Sequence, residues 1–195
     1  MENALDGRPS GTDADLDLLS RAISFAHRAH QGQFRKDRVT PYAAHPMRVL
    51  MLMMRVFKVE DPEVLAAAAL HDTIEDTRTD RDDLIATFGE RVASYVAELS
   101  KDKRLPDAER EDRYFDGLAS APLEVKLLKL GDTLDNLHDS RSLSSQGREK
   151  AIGKARQLLA LFEPSVPEAW GHALAAVREK IRSLEMGSSG EDSPR

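Results

Sequence analysis

The sequence contains no cysteine. Disulfides, thiolate metal sites and thiol nucleophiles are therefore excluded. Aromatic residues make up 5% of the 195 positions, and the abundance of Ala and Leu favours helix over sheet. No stretch approaches the apolar length of a membrane span. Met1 to Asp15 is polar and acidic, unlike a signal peptide. Strand-like alternation, hairpin signals and internal repeats are also missing. There is no excess of positive charge. Against 28 Lys and Arg stand 34 Asp and Glu, for a formal net charge of −6, which disfavours a general nucleic-acid-binding surface. A small anion needs only a local basic patch, and two are candidates. One is Arg35, Lys36 and Arg38. The other, Lys101, Lys103 and Arg104, reads as ordinary surface charge.

What is present is helical. The length suits one domain with a substantial core, and a hydrophobic content of 41% supports it. We expect a single all-α domain over residues 13–185, with a disordered lead at 1–12 and a disordered tail at 186–195. Asp13 or Asp15 can cap a first helix from Leu16 to about Gln31, ended by Gly32. Gln33 to Ala44 reads as a loop. His45-Pro46 opens a helix with Val49, Leu50, Met53, Met54 and Phe57 at helical spacing. Asp61-Pro62 starts an alanine-rich helix. Thr79 or Asp80 caps a short one ending before Gly89, and Glu90 to Leu99 makes another. Asp107 to Leu118 reads as a polar surface helix, and Pro122 to Ser140 as a strong amphipathic one. Ser145 to Phe162 and Ser165 to Leu184 close the chain, and either cover the core or form a face for a second copy. A cytoplasmic location fits the lack of cysteine.

The chemistry concentrates at Leu70-His71-Asp72-Thr73-Ile74-Glu75-Asp76-Thr77. On a continuous helix His71 lies over Glu75 and Asp72 over Asp76. Three carboxylates and an imidazole at the end of a buried helix repel and desolvate one another, and a bound cation removes that objection. The helix from Pro122 carries a core stripe of Leu123, Leu127, Leu130, Leu134 and Leu137. A separate polar stripe runs through Lys129, Asp132, Asn136 and Asp139. His45, His71, Asp72 and Asp132 together make a set of two imidazoles and two carboxylates. Such a set suits Mn²⁺, Fe²⁺ or Zn²⁺ with positions left open for water and substrate. His27, His30, His138 and His172 read as structural or exposed, and the methionines as core filler.

The order His45, His71-Asp72, Asp132 resembles the HD-domain phosphohydrolases. Longer segments sharpen this: Ala29-His30-Gln31-Gly32-Gln33-Phe34-Arg35-Lys36, then Pro41-Tyr42-Ala43-Ala44-His45-Pro46, then the His71-Asp72 segment, Phe88-Gly89, and Lys129-Leu130-Gly131-Asp132-Thr133-Leu134-Asp135-Asn136-Leu137. These are similar to the hydrolase domain of RelA/SpoT-type proteins, in order, from roughly residue 20 to 140. The chain is too short for the synthetase domain of the long bifunctional proteins. It resembles a stand-alone small alarmone hydrolase, of the group that includes the metazoan SpoT homologue.

The resemblance implies a Mn²⁺-dependent enzyme that removes the 3′-pyrophosphate of ppGpp and pppGpp. His45, His71, Asp72 and Asp132 would bind the metal. Glu75 and Asp76 would orient or activate the attacking water. Arg35 would stack on guanine, Lys36 would neutralise phosphate, Asn136 and Asp139 would contact the nucleotide, and Tyr42 would shape the pocket. The expected partner is a small nucleotide, not a nucleic acid or a membrane. The sequence departs from the family at Thr133, where a basic residue is usual, and at Gly131 and Asp135, which replace Ala and His. Asp135 lies off the Lys129 stripe and is expected to point away from the pocket. Thr133 keeps an alternative open: a phosphohydrolase for another phosphorylated nucleotide, such as NADPH.

Overall fold

The apolar run that follows Asp61 sits at the centre of the molecule. The computed structural model describes residues 12–140 and 143–188. Its helices are α1 (Asp13–Ala29), α2 (Ala44–Arg55), α3 (Pro62–Leu70), α4 (Thr73–Asp76), α5 (Arg81–Phe88), α6 (Glu90–Leu99), α7 (Asp107–Ser120), α8 (Leu123–Asp139), α9 (Ser145–Phe162) and α10 (Gly171–Ser188). Among the described residues there is no strand, only an isolated antiparallel bridge between Phe34 and Pro41. The fold is all-α, as the composition implies.

Helix α3 is apolar on every side, and Ala66, Ala67, Ala68 and Ala69 are fully buried. Small side chains let α1, α2, α6 and α8 approach it together. Its start is fixed locally. Asp61 accepts hydrogen bonds from the Glu63 and Val64 amides, and Pro62 occupies the first turn, where a missing N–H costs nothing. Helix α8 touches α2, α3 and α6 and also α9 and α10, so it lies between the two groups. The closing helices thus cover the core.

Four local expectations are corrected. Thr12, not Asp13 or Asp15, caps α1. Its side chain accepts from the Asp15 amide while Asp15 accepts from the Thr12 amide, a reciprocal box that a lone Asp lacks. The motif helix is not continuous. It ends at Leu70 and resumes as the single turn α4. The last helix begins at Gly171 rather than Ser165, because the residue before Pro167 is held out of helical geometry and a 3-10 turn, Glu168–Trp170, intervenes. Finally, α10 continues to Ser188. Apart from Thr12 and this last turn, the lead and the tail lie outside the described residues.

The loop between α1 and α2 is tightly tied. Gly32 has φ +79°, a conformation that favours glycine. The Arg35 amide donates to Thr40 O and the Tyr42 amide to Gln33 O. The Asp37 carboxylate accepts from the Val39 and Thr40 amides. Arg35 and Tyr42 therefore project from a fixed frame.

Candidate active site

The side chains meet where α2, the α3–α4 break and α8 converge. His45 is the second residue of α2 and is 1% exposed. His71 and Asp72 occupy the break itself. There the carbonyls at the end of α3 are taken by side chains: Ala68 O accepts from His71 Nδ1 at 2.9 Å, and Leu70 O accepts from Thr73 Oγ1 at 2.7 Å. Asp132 comes from the middle of α8 and is 8% exposed.

Their donor atoms converge. His45 Nε2 lies 3.1 Å from His71 Nε2, 3.4 Å from Asp72 Oδ2 and 3.2 Å from Asp132 Oδ1. His71 Nε2 lies 3.2 Å from Asp72 Oδ1 and 3.9 Å from Asp132 Oδ1. Donor atoms of His45, His71 and Asp72 all fall within 4.8 Å of one another.

The tautomers follow from the other nitrogens. A backbone carbonyl only accepts, so His71 Nδ1 carries a proton. His45 Nδ1 lies 2.6 Å from the Asp135 carboxylate, so it too donates. With both imidazoles neutral, bare Nε2 lone pairs would face one another and two carboxylates. Positive charge between them removes that conflict, whether from protons on Nε2 or from a metal ion, and the N/O donor set fits a divalent metal.

Protons alone must otherwise do this work. Burial opposes the charged His45, but hydrogen bonds to Asp132, Asp135 and Asp72 outweigh it and push it up to about 11. Burial likewise opposes His71, and Asp72 and Asp132 still raise it. Burial also disfavours the carboxylate charges. The imidazoles nevertheless hold Asp72 below the usual range, and Lys129 with the imidazoles holds Asp132 there. Asp132 is further fixed by Lys129 Nζ at 2.8 Å and by Asn136 Nδ2.

Glu75 and Asp76 stand beside this cluster, in the same pocket of about 180 Å³. The Tyr42 hydroxyl bridges the two groups, 2.7 Å from Asp72 Oδ2 and 2.9 Å from Asp76 Oδ2. Burial raises the Glu75 pKa, and the charges of Asp76 and Asp72 add to it. A more basic carboxylate is better suited to accept a proton near neutral pH. Gln33 Nε2 donates to Asp76 O at 2.7 Å, tying α4 to the α1–α2 loop.

The predicted substrate-facing residues also come together. Arg35 donates to Asp139 Oδ2 and Asn136 Oδ1, each at 2.9 Å. One face of its guanidinium lies over Tyr42, 5.3 Å from the ring centre. Arg35 and Asn136, with Lys101, Lys129 and Asp132, line both the metal pocket and a neighbouring cleft of about 680 Å³. Lys36 lies on the cleft wall, with Thr133, Phe115, Leu143, Lys150 and Leu158.

Several contributors were not expected. Lys101 and Lys103, read as surface charge, belong to the site. The Lys101 amide donates to Glu75 Oε2 at 3.1 Å, and Lys103 Nζ reaches Glu75 O and, at 3.1 Å, Asp76 Oδ1. Helix α7, read as a surface element, supplies Tyr114, against which Lys101 and Lys129 pack at 5.0 and 5.3 Å. Arg48 and Asp135 back the site behind His45. Asp135 does point away from the pocket, as expected. The basic spacing of Arg48 from His45 was the available signal, but only the crossing of α2 and α8 gives it meaning. His138 lines the cleft.

A helical bundle that unites a His-Asp pair with a second His and a second Asp, beside a Glu-Asp pair, defines a metal-dependent phosphohydrolase class. This chain belongs to the HD-domain family, whose model matches residues 22–164. It is 35% identical over 170 residues to the guanosine-3′,5′-bis(diphosphate) 3′-pyrophosphohydrolase MESH1 of Danio rerio, covering 86% of this chain and 92% of that one. To the Homo sapiens MESH1 it is 39% identical over 130 residues, covering 66% and 73%. A solved structure of a metazoan ortholog of SpoT that hydrolyzes ppGpp superposes with a TM-score of 0.77 at 27% identity. That match covers 91% of this chain and 98% of the other.

Proposed function

We propose that the chain is a metal-dependent (p)ppGpp 3′-pyrophosphohydrolase, yielding GDP or GTP and pyrophosphate, with residues 13–185 acting as one catalytic unit. The observation that carries this reading is the Glu75–Asp76 pair, tied by Tyr42 to a largely buried set of two imidazoles and two carboxylates. The likeness to MESH1 across nearly the whole chain supports the substrate class. We assign Mn²⁺ as the native ion and the cytoplasm as the compartment.

His45, His71, Asp72 and Asp132 would hold the ion. When bound, a divalent cation supplies Lewis acidity toward phosphoryl oxygens and lowers the pKa of water. Glu75 and Asp76 orient the attacking water and take its proton. Tyr42 keeps Asp76 aligned with Asp72. Arg35, Lys36, Lys101 and Lys129 offset the charge of a substrate that an acidic protein would otherwise repel. Asn136 and Asp139 hold Arg35 in place for the nucleotide. The larger cleft has room for the nucleoside, with an apolar wall at Phe115, Leu143 and Leu158.

Thr133 favours testing a second nucleotide. Its hydroxyl donates back to Lys129 O at 2.7 Å and brings no charge to the cleft. Incubation of Mn²⁺-loaded protein with ppGpp and, separately, with NADPH separates the readings. Pyrophosphate released from ppGpp is the expected result. Inorganic phosphate from NADPH alone would overturn it.

A further inference from the structure

Asp135 is a carboxylate with 1% exposure that no part of the proposed reaction uses. Burial of a charge demands partners, and it has two. Arg48 grips it from α2 with Nε at 2.6 Å from Oδ1 and Nη2 at 2.8 Å from Oδ2. The same Oδ2 accepts from His45 Nδ1 at 2.6 Å. A simple clamp between α2 and α8 would need only Arg48 and Asp135. The third contact lands on the side of His45 opposite the metal cluster.

We infer that Asp135, braced by Arg48, is a positioning residue that fixes the His45 tautomer and strengthens Nε2 as a metal donor. This rests on the metal-site reading but not on any choice of substrate. A carboxylate behind a ligating imidazole holds its orientation and raises its basicity. His71 has a neutral backing instead, the Ala68 carbonyl. The two imidazoles are thus made unequal, with His45 the stronger ligand. Arg48 balances the Asp135 charge so that the pair is not a net anion beside the site. Its Nη2 also donates to Asp139 Oδ2 at 2.7 Å, and that oxygen accepts from Arg35. One continuous chain of hydrogen bonds therefore joins the back of the metal ligand to the nucleotide-facing guanidinium.

The test is metal affinity, read by Mn²⁺ electron paramagnetic resonance titration and by the d–d absorption of the Co²⁺ form. Asp135→Ala removes the acceptor, and Asp135→Asn keeps an acceptor without the charge. Thermal unfolding in EDTA reports whether each variant folds. Asp135→Ala is expected to weaken Mn²⁺ binding by about 10- to 100-fold and to change the Co²⁺ spectrum. Asp135→Asn is expected to fall between it and wild type, with turnover recovered at excess Mn²⁺. If Asp135→Ala does not fold, Asp135→Asn decides. Folded variants that bind Mn²⁺ as wild type does, with an unchanged Co²⁺ spectrum, would reduce the pair to a structural clamp. A wild-type protein that binds neither ion would overturn the metal centre itself, and a metal-binding protein inactive on ppGpp would overturn only the substrate.

Discussion

At the scale of single residues, the proposed reaction divides the site into groups that would hold the metal and groups that would prepare water. The division makes the two sets separable by mutation. Asp72→Ala removes a donor lying 3.2 and 3.4 Å from the two imidazoles, so metal content and activity should fall together. Glu75→Gln and Asp76→Asn leave all four donors in place. These variants should retain stoichiometric metal by elemental analysis yet lose about 10²- to 10⁴-fold in kcat, the range for a positioned acid or base. Full turnover in both would remove them from the mechanism. These residues were legible in the sequence because they share one short motif with fixed spacing. Lys101, Lys103 and Arg48 were not. A lysine on a loop looks the same whether it faces water or Glu75, and only the packing of loop against α4 distinguishes the two.

At the scale of elements, nearly every helix followed from apolar spacing, capping residues and Pro positions. The break between α3 and α4 did not. Nothing in Ala69-Leu70-His71-Asp72-Thr73 forbids helix. The chain turns because His71 and Thr73 side chains take the carbonyls of Ala68 and Leu70, a local competition with helix that depends on tertiary context. The same break lets His71 and Asp72 both face His45. Helix α9 offers a cleaner test of element-level energetics. Gly153 is exposed within it, and a methyl group there would meet open space. Alanine should stabilise the folded state by about 0.5–1 kcal/mol through helix propensity alone. Calorimetry should show Tm raised by about 1–4 °C, with kcat unchanged. A lowered Tm would mean that this wall of the cleft is packed differently.

At the scale of the whole molecule, a net charge of −6 conceals a cleft in which Arg35, Lys36, Lys101, Lys129, Lys150 and Lys154 outnumber the carboxylates of Asp37, Glu111, Asp132 and Asp139. Composition could not reveal that separation, since the cations come from the α1–α2 loop, the α6–α7 loop, α8 and α9. On the proposed reading, the opposing carboxylates of the site make the molecule respond to both protons and metal. His45 is raised from its ordinary 6.5 to about 11 in the fold. Its protonation therefore stabilises the metal-free fold fully below about pH 6.5, and that contribution is lost as pH rises through about 11. Metal binding needs the neutral imidazole and must expel the proton. The two stabilisations consequently run in opposite directions across this window. The rise in Tm on adding excess Mn²⁺ should be small near about pH 6 and grow toward about pH 8, as the cost of displacing the proton falls. Calorimetric titration in two buffers of different ionisation enthalpy should register proton release on Mn²⁺ binding. A Tm increment independent of pH, with no proton released, would show that Nε2 of His45 is not a metal donor.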